Sequence, residues 1–212
     1  MKKTFLLSCL MLAAMPVMAA YTGHVYVDKN KNGVFDQSEK PLAGIKVSDG
    51  LNVVETAADG SFTLPGHERE RFIFITTPSG YKTFNRHYHK IEKKQSGYDF
   101  GLIPYSGRIR KNGSHRYIHI ADTEIFNTEN HADWVNNVRD YARNEQAAFI
   151  IHTGDICYEK GLKAHIKLMN TENMDCPVFY CIGNHDLVKG KYGEELFESI
   201  YGPVYYSFDA GN

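Results

Sequence analysis

With 42% hydrophobic and 23% charged residues over 212 positions, the chain has the composition of a globular protein able to bury a core, far from the disordered class. The formal net charge is -1, and no stripe of Lys and Arg interleaves with aromatics, which speaks against nucleic acid as a ligand. Neutral or acidic small substrates stay open. The length suits one ordinary domain or two small ones.

The first twenty residues read as a secretory signal. Lys2 and Lys3 give a positive start, Phe5 to Val17 an apolar run, and Val17-Met18-Ala19 a small-residue cleavage pattern before Tyr21. The run is too short for a membrane anchor, and Pro16 near its end argues against one. The expected mature protein therefore starts near Ala20 or Tyr21, has no transmembrane segment, and is exported to the periplasm, the cell surface or the medium. Cys157, Cys176 and Cys181 then remain, an odd number that makes no complete disulfide framework. Cys176 and Cys181 flank a predicted strand that holds them too far apart to bridge. All three are expected to be small buried hydrophobes.

Residues 21–104 alternate short apolar runs with turns. Strands are predicted at 23–27, 45–48, 53–56, 61–64, 71–76 and 98–102, with Asp49-Gly50 and Asp59-Gly60 supplying hairpin turns. The expectation is a small all-β domain, an antiparallel sandwich. Residues 105–114 read as a linker, because Gly107, Lys111, Asn112 and Gly113 offer little to bury. From 115 to 212 the rhythm changes to α/β. Strands are expected at 117–121, 148–152, 178–182 and 204–208, and helices at 130–143, 162–169 and 194–200. On the first helix Trp134, Val135, Val138, Tyr141 and Ala142 are placed on one face.

The apolar strands of this second region end in residues of metal-ligand type, and ligands of α/β sheets collect beyond the carboxyl ends of strands. The clusters are Asp122-Thr123-Glu124, Gly154-Asp155 and Gly183-Asn184-His185-Asp186. Oxygen and imidazole donors of this kind suit Zn, Mn or Fe, and glycines beside them let the backbone turn sharply.

Three stretches, Ile151-His152-Thr153-Gly154-Asp155-Ile156, Cys181-Ile182-Gly183-Asn184-His185-Asp186 and Tyr201-Gly202-Pro203-Val204-Tyr205-Tyr206-Ser207-Phe208, resemble the calcineurin-like metallophosphoesterases. The resemblance spans roughly residues 116–212 and implies a layered α/β fold that hydrolyses phosphoester bonds at two divalent metals. By that resemblance Asp122 binds the first metal, Asp155 bridges both, Asn184 binds the second, and His185 faces a phosphorylated substrate. Asp186 is then expected to hold the His185 ring. The family's first motif is Asp-x-His, whereas position 124 here is Glu, a carboxylate that can replace imidazole or stand off the metal. No counterpart of the family's later histidines follows Asp186. The resemblance therefore implies a catalytic region incomplete at its C-terminal side, weak turnover by residues 1–212 alone, and a sticky apolar segment at 204–208.

A second ion site is legible in the β-region. Asp28, Asn30, Asn32, Val34, Asp36 and Glu39, with Gly33, follow the twelve-residue calcium-loop spacing, although a strand precedes the loop and Pro41 follows it. The same residues also form turns without an ion. The remainder, notably 44–50, 59–62 and 98–104, resembles the β-domains ahead of exported bacterial metallophosphoesterases, themselves similar to carboxypeptidase regulatory-like sandwiches. Two other functions compete with hydrolysis: a degenerate relative that binds metal or phosphate without turnover, and a calcium-stabilised module for surface attachment.

Overall fold

The computed structural model describes residues 20–95 and 97–211. The predicted signal, Ala20 apart, lies outside the described residues.

Among the described residues, nine strands build the first half: β1 (Ala20–Val27), β2 (Lys40–Pro41), β3 (Lys46–Ser48), β4 (Val53–Glu55), β5 (Ser61–Pro65), β6 (Phe72–Ile75), β7 (Tyr81–Thr83), β8 (Tyr88–Lys90) and β9 (Phe100–Pro104). One sheet runs β2-β1-β9-β7 with β5 added on β1, and a second runs β4-β3-β6-β8. Val25, Phe62, Leu64, Phe100 and Leu102 of the first sheet meet Val47, Ile73 and Ile75 of the second in one buried cluster. Inward residues alternate along β5 as the pleat demands, whereas all four residues of β6 are buried. The expected antiparallel pattern needs one correction, because β1 and β9 pair in parallel. Their registry spans a long stretch of chain, which local turn signals do not report.

In the second half β10 (Arg116–Ile120), β11 (Ala147–His152) and β12 (Val178–Tyr180) form a parallel sheet in that order. Its helices are α1 (Ala132–Asn144), α2 (Glu159–Leu168), the short α3 (Thr171–Met174) and α4 (Glu195–Tyr201), with a 3-10 turn at Asn184–Asp186. Val135 and Ala142 of α1 are buried against Ile150 of β11. Trp134 and Tyr141 are instead exposed, because a 100° step per residue carries them off the buried stripe. Cys157 and Cys176 are buried as expected, but Cys181 is exposed at the end of β12.

The predicted last strand at 204–208 is not a strand. Only Phe208 makes an isolated bridge, to Thr77, and the segment packs through its side chains. Phe208 stacks on Phe179 at 3.6 Å between ring centroids. The Tyr206 hydroxyl receives the Tyr180 N–H at 2.8 Å and donates to the Tyr180 carbonyl at 3.0 Å, so a side chain occupies the edge of β12 where a strand was expected. The anticipated sticky surface is thereby mostly covered, with Tyr205 left exposed.

The linker also does more than its composition implied. Tyr105 donates to the Ala148 carbonyl at 2.8 Å, and the Arg108 guanidinium reaches the Ala147 carbonyl and Asp175, both at 3.0 Å. Across the seam Arg71 pairs with Glu194 at 3.0 Å and Glu198 at 2.9 Å.

Two buried histidines, His152 and His165, and the half-buried His87, whose Nε2 is enclosed, should make the fold sensitive to acid. Desolvation holds His87 and His152 down at about 4 and His165 at about 3. The Nε2 atoms of His87 and His165 have no hydrogen-bond partner to support a proton. Unfolding lets each ring take up a proton near its ordinary value of 6.5, so their stabilisation is full above pH 6.5 and is lost as pH falls toward 4. Urea unfolding with chelator present should show stability dropping by up to roughly 3 kcal/mol for His87 alone between pH 7 and pH 4. His87→Gln should make that dependence less steep by the His87 share while His152 and His165 keep theirs, and an equally steep profile in the variant would exclude His87 as a source.

Candidate metal centre

Each of the three predicted clusters begins where a parallel strand stops. Asp122 and Glu124 follow β10, Asp155 follows β11, and Asn184 and His185 follow β12. The loops are stitched together by backbone bonds: Thr153 N–H to the Ile120 carbonyl at 2.9 Å, Asp122 N–H to Gly154 at 3.2 Å, and Cys181 N–H to His152 at 2.7 Å. Gly154 and Gly183 permit the closest approach. A Cβ on Gly154 would lie 2.6 Å from the Gly183 nitrogen, and one on Gly183 would collide with the Asp155 amide and carboxylate. The second cluster is thus pressed onto the third, a contact beyond the sharp turns expected of these glycines.

Asp122, Glu124 and Asp155 all sit at positive φ, at 54°, 47° and 50°. Non-glycine residues seldom adopt this left-handed region, and such strain persists where the surroundings over-determine it, often at functional sites. The His185 N–H donates to Asp155 Oδ1 at 3.0 Å, which places the third cluster directly over the second.

The His185 ring pairs with Glu124, its Nδ1 lying 2.6 Å from Glu124 Oε1. That hydrogen bond is the chief reason the imidazole holds its proton above the ordinary value for histidine. The exposed ring of Tyr158 stacks against the same imidazole, with centroids 5.0 Å apart. The expectation that Asp186 holds the ring is therefore corrected. Asp186 is fully buried and faces backbone: Oδ1 accepts from Ile156 N–H at 2.9 Å and Cys157 N–H at 3.0 Å, and Oδ2 from Gly183 N–H at 2.9 Å. Burial raises its pKa while these three donors oppose the shift. It ties the loop after β11 to the loop after β12.

The donor set fits divalent cations. Among the described residues, none of Asp122, Glu124 and Asp155 pairs with Lys or Arg, and Asn184 is exposed at the start of the third loop. Strand-end carboxylates in strained loops, with an amide and an imidazole, offer the oxygen and nitrogen donors that Mn, Zn or Fe take.

The catalytic-domain model described as calcineurin-like phosphoesterase matches residues 115–210, and the model for the N-terminal domain of calcineurin-like phosphoesterase matches residues 29–104. The chain belongs to the calcineurin-like phosphoesterase family. That membership supports metal-dependent hydrolysis of phosphoesters as its general chemistry and phosphoesters as its substrate class. No curated protein matches the chain. Among the described residues no helix is long and apolar enough to cross a membrane.

One cluster escaped sequence reasoning. Ligand atoms of Asp49, His67 and Glu70 lie within 4.8 Å of one another, a possible metal site on the β-rich half of this phosphoesterase. Its donors already have partners. Glu70 accepts from the Tyr21 hydroxyl and the His67 N–H, while Asp49 accepts from Leu51 N–H at 2.9 Å and Asn52 N–H at 2.7 Å. His67 Nδ1 accepts from Arg69 N–H at 3.2 Å, so Nε2 carries the ring proton and presents it to Asp49. The only linear signal was the i, i+3 spacing of His67 and Glu70, and Asp49 joins them through the fold.

Proposed function

We propose that the chain forms the metal-binding part of a layered α/β phosphoesterase domain, in which Asp122, Asp155 and Asn184 hold two divalent cations and His185 serves the substrate. The observation that carries this reading is the convergence of three strand-end loops, with His185 N–H on Asp155 and its ring on Glu124. When bound, the cations supply Lewis acidity toward phosphoryl oxygens and lower the pKa of a water. Glu124 holds the Nδ1 side of the imidazole, so Nε2 faces away and can give a proton to a leaving oxygen. The hydrogen bond to Glu124 favours the protonated ring needed for that donation. Tyr158 limits rotation of the ring by stacking on it. Glu124 thus acts on His185, a role that leaves the charge of the metal set to Asp122 and Asp155.

Exported localisation and the division into residues 1–20, 21–104, 105–114 and 115–212 belong to the same proposal. Binding without turnover is the second reading, favoured because Glu124 stands where the family carries histidine and spends its carboxylate on His185. The test is an assay of the native protein on an aryl phosphate and an aryl phosphodiester, stripped with chelator and restored with manganese or zinc. Turnover should return with metal and disappear in Asp155→Asn. Stoichiometric metal binding without turnover would establish the second reading, and turnover indifferent to chelator would overturn both.

A further inference from the structure

The loop from Asp28 to Glu39, between β1 and β2, gathers side chains the phosphoesterase reading does not use. Asp28 Oδ2 accepts from Gly33 N–H at 2.9 Å and Oδ1 from Asn32 N–H at 3.2 Å. Glu39 closes the far end, with Oε1 on Lys29 N–H at 3.0 Å and Oε2 on Asp36 N–H at 3.2 Å. The amides of Asn30 and Asn32 both reach Asp36 Oδ2, at 2.7 and 3.1 Å. Three carboxylates therefore line one twelve-residue loop, each holding amide groups of that loop. Two are buried, Asp28 at 1% exposure and Glu39 at 6%. Among the described residues, the ion pairs include no Lys, Arg or His on any of the three. Buried anions call for a paired charge or a metal.

An independent observation comes from β1. Tyr26 is wholly buried, and its hydroxyl has no hydrogen-bond partner. It lies on the same face of the strand as Asp28, two residues on. Both point at one spot on β9: a Cβ on Gly101 would sit 3.2 Å from the Tyr26 hydroxyl and 3.0 Å from Asp28 Oδ2. Phe35, inside the loop, packs on the Tyr26 ring with centroids 4.9 Å apart. An orphaned hydroxyl beneath the acidic loop is the kind of buried polar group that an ion or its water satisfies.

We propose that this loop is a calcium site of the β-rich half, formed by Asp28, Asn30, Asn32, the Val34 carbonyl, Asp36 and Glu39, with the Tyr26 hydroxyl bonded to the ion's hydration shell. The donors are all oxygen, several are charged, and one is a backbone carbonyl, a set suited to calcium and unlike the histidine-bearing strand-end cluster. The ion ties β2 back onto β1, which pairs with β2, β5 and β9 and so organises its sheet. The site is independent of the phosphoesterase centre.

The test uses the full chain with calcium and with terbium as a luminescent stand-in. Tyrosine-sensitised terbium emission should appear, be displaced by calcium and resist equal magnesium. Saturating calcium should raise the melting midpoint by roughly 5–15 °C. Glu39→Gln and Asp36→Asn should each weaken calcium by at least tenfold. Tyr26→Phe should weaken it several-fold, and Asp155→Asn should leave it unchanged. Asp36 is only half-buried, so its variant carries the test if Glu39→Gln fails to fold. The proposal is overturned if the parent shows no midpoint rise, or if calcium acts equally on the parent and Asp36→Asn. Unchanged calcium affinity in Tyr26→Phe would remove the hydroxyl from the site.

Discussion

His185→Ala should lower metal-dependent turnover of an aryl phosphoester by roughly 10²–10⁴-fold, the range for removing a positioned general acid. The loss should grow as the leaving group becomes more basic, because a nitrophenolate departs with little help whereas an alkoxide needs the proton. Glu124→Gln should cost less, on the order of tenfold to a hundredfold, since the imidazole stays but loses the partner that orients and charges it. Steady-state rates on a series of aryl and alkyl phosphoesters make the comparison. A uniform loss across leaving groups would assign His185 to substrate binding alone. Undiminished turnover in His185→Ala would remove it from the mechanism.

Asp186→Ala should be among the most destabilising single changes in the second half, by roughly 3–5 kcal/mol. The magnitude follows from two buried N–H groups, of Ile156 and Cys157, and the part-buried N–H of Gly183, each left without its acceptor. The melting midpoint should fall by about 10 °C in a chain of this size. Asp186→Asn keeps one acceptor oxygen and should lose less. Calorimetry in the absence of added metal isolates the structural effect from any change in metal affinity. A shift of only a degree or two would mean that water or a relaxed loop replaces the carboxylate.

Much of the candidate site's placement at strand ends was legible along the chain, because strand-end position and local motif are both linear properties. Gly154-Asp155 and Gly183-Asn184-His185-Asp186 each follow an apolar run that becomes a parallel strand, and the glycines beside them imply sharp turns, whereas the structure shows their backbones nearly touching. Periodicity located the three longer helices of the second half within a few residues for the same reason, although it put Trp134 and Tyr141 on the wrong side of α1. The calcium-loop spacing is likewise local, since the proposed donors other than Tyr26 all fall within twelve consecutive residues.

What only the tertiary structure decided is which groups meet across long separations. Asp186 is next in sequence to His185, yet the 3-10 turn directs its carboxylate toward the backbone of the previous loop. Glu124, 61 positions away, reaches the ring instead. The segment at 204–208 has the composition of a strand, but Tyr206 closes the edge of β12 with its hydroxyl and the backbone is left irregular. β1 pairs with β9 in parallel because both belong to one core with Leu64 and Val47, a choice made by packing rather than by turns. Arg108 and Asp49 acquired their partners in the same way. Residue type and spacing along the chain thus indicated the general kind of chemistry and the strand ends proposed to carry it. The pairing of individual side chains depended on the fold, since short-range forces act only between groups that folding has already brought within a few ångströms.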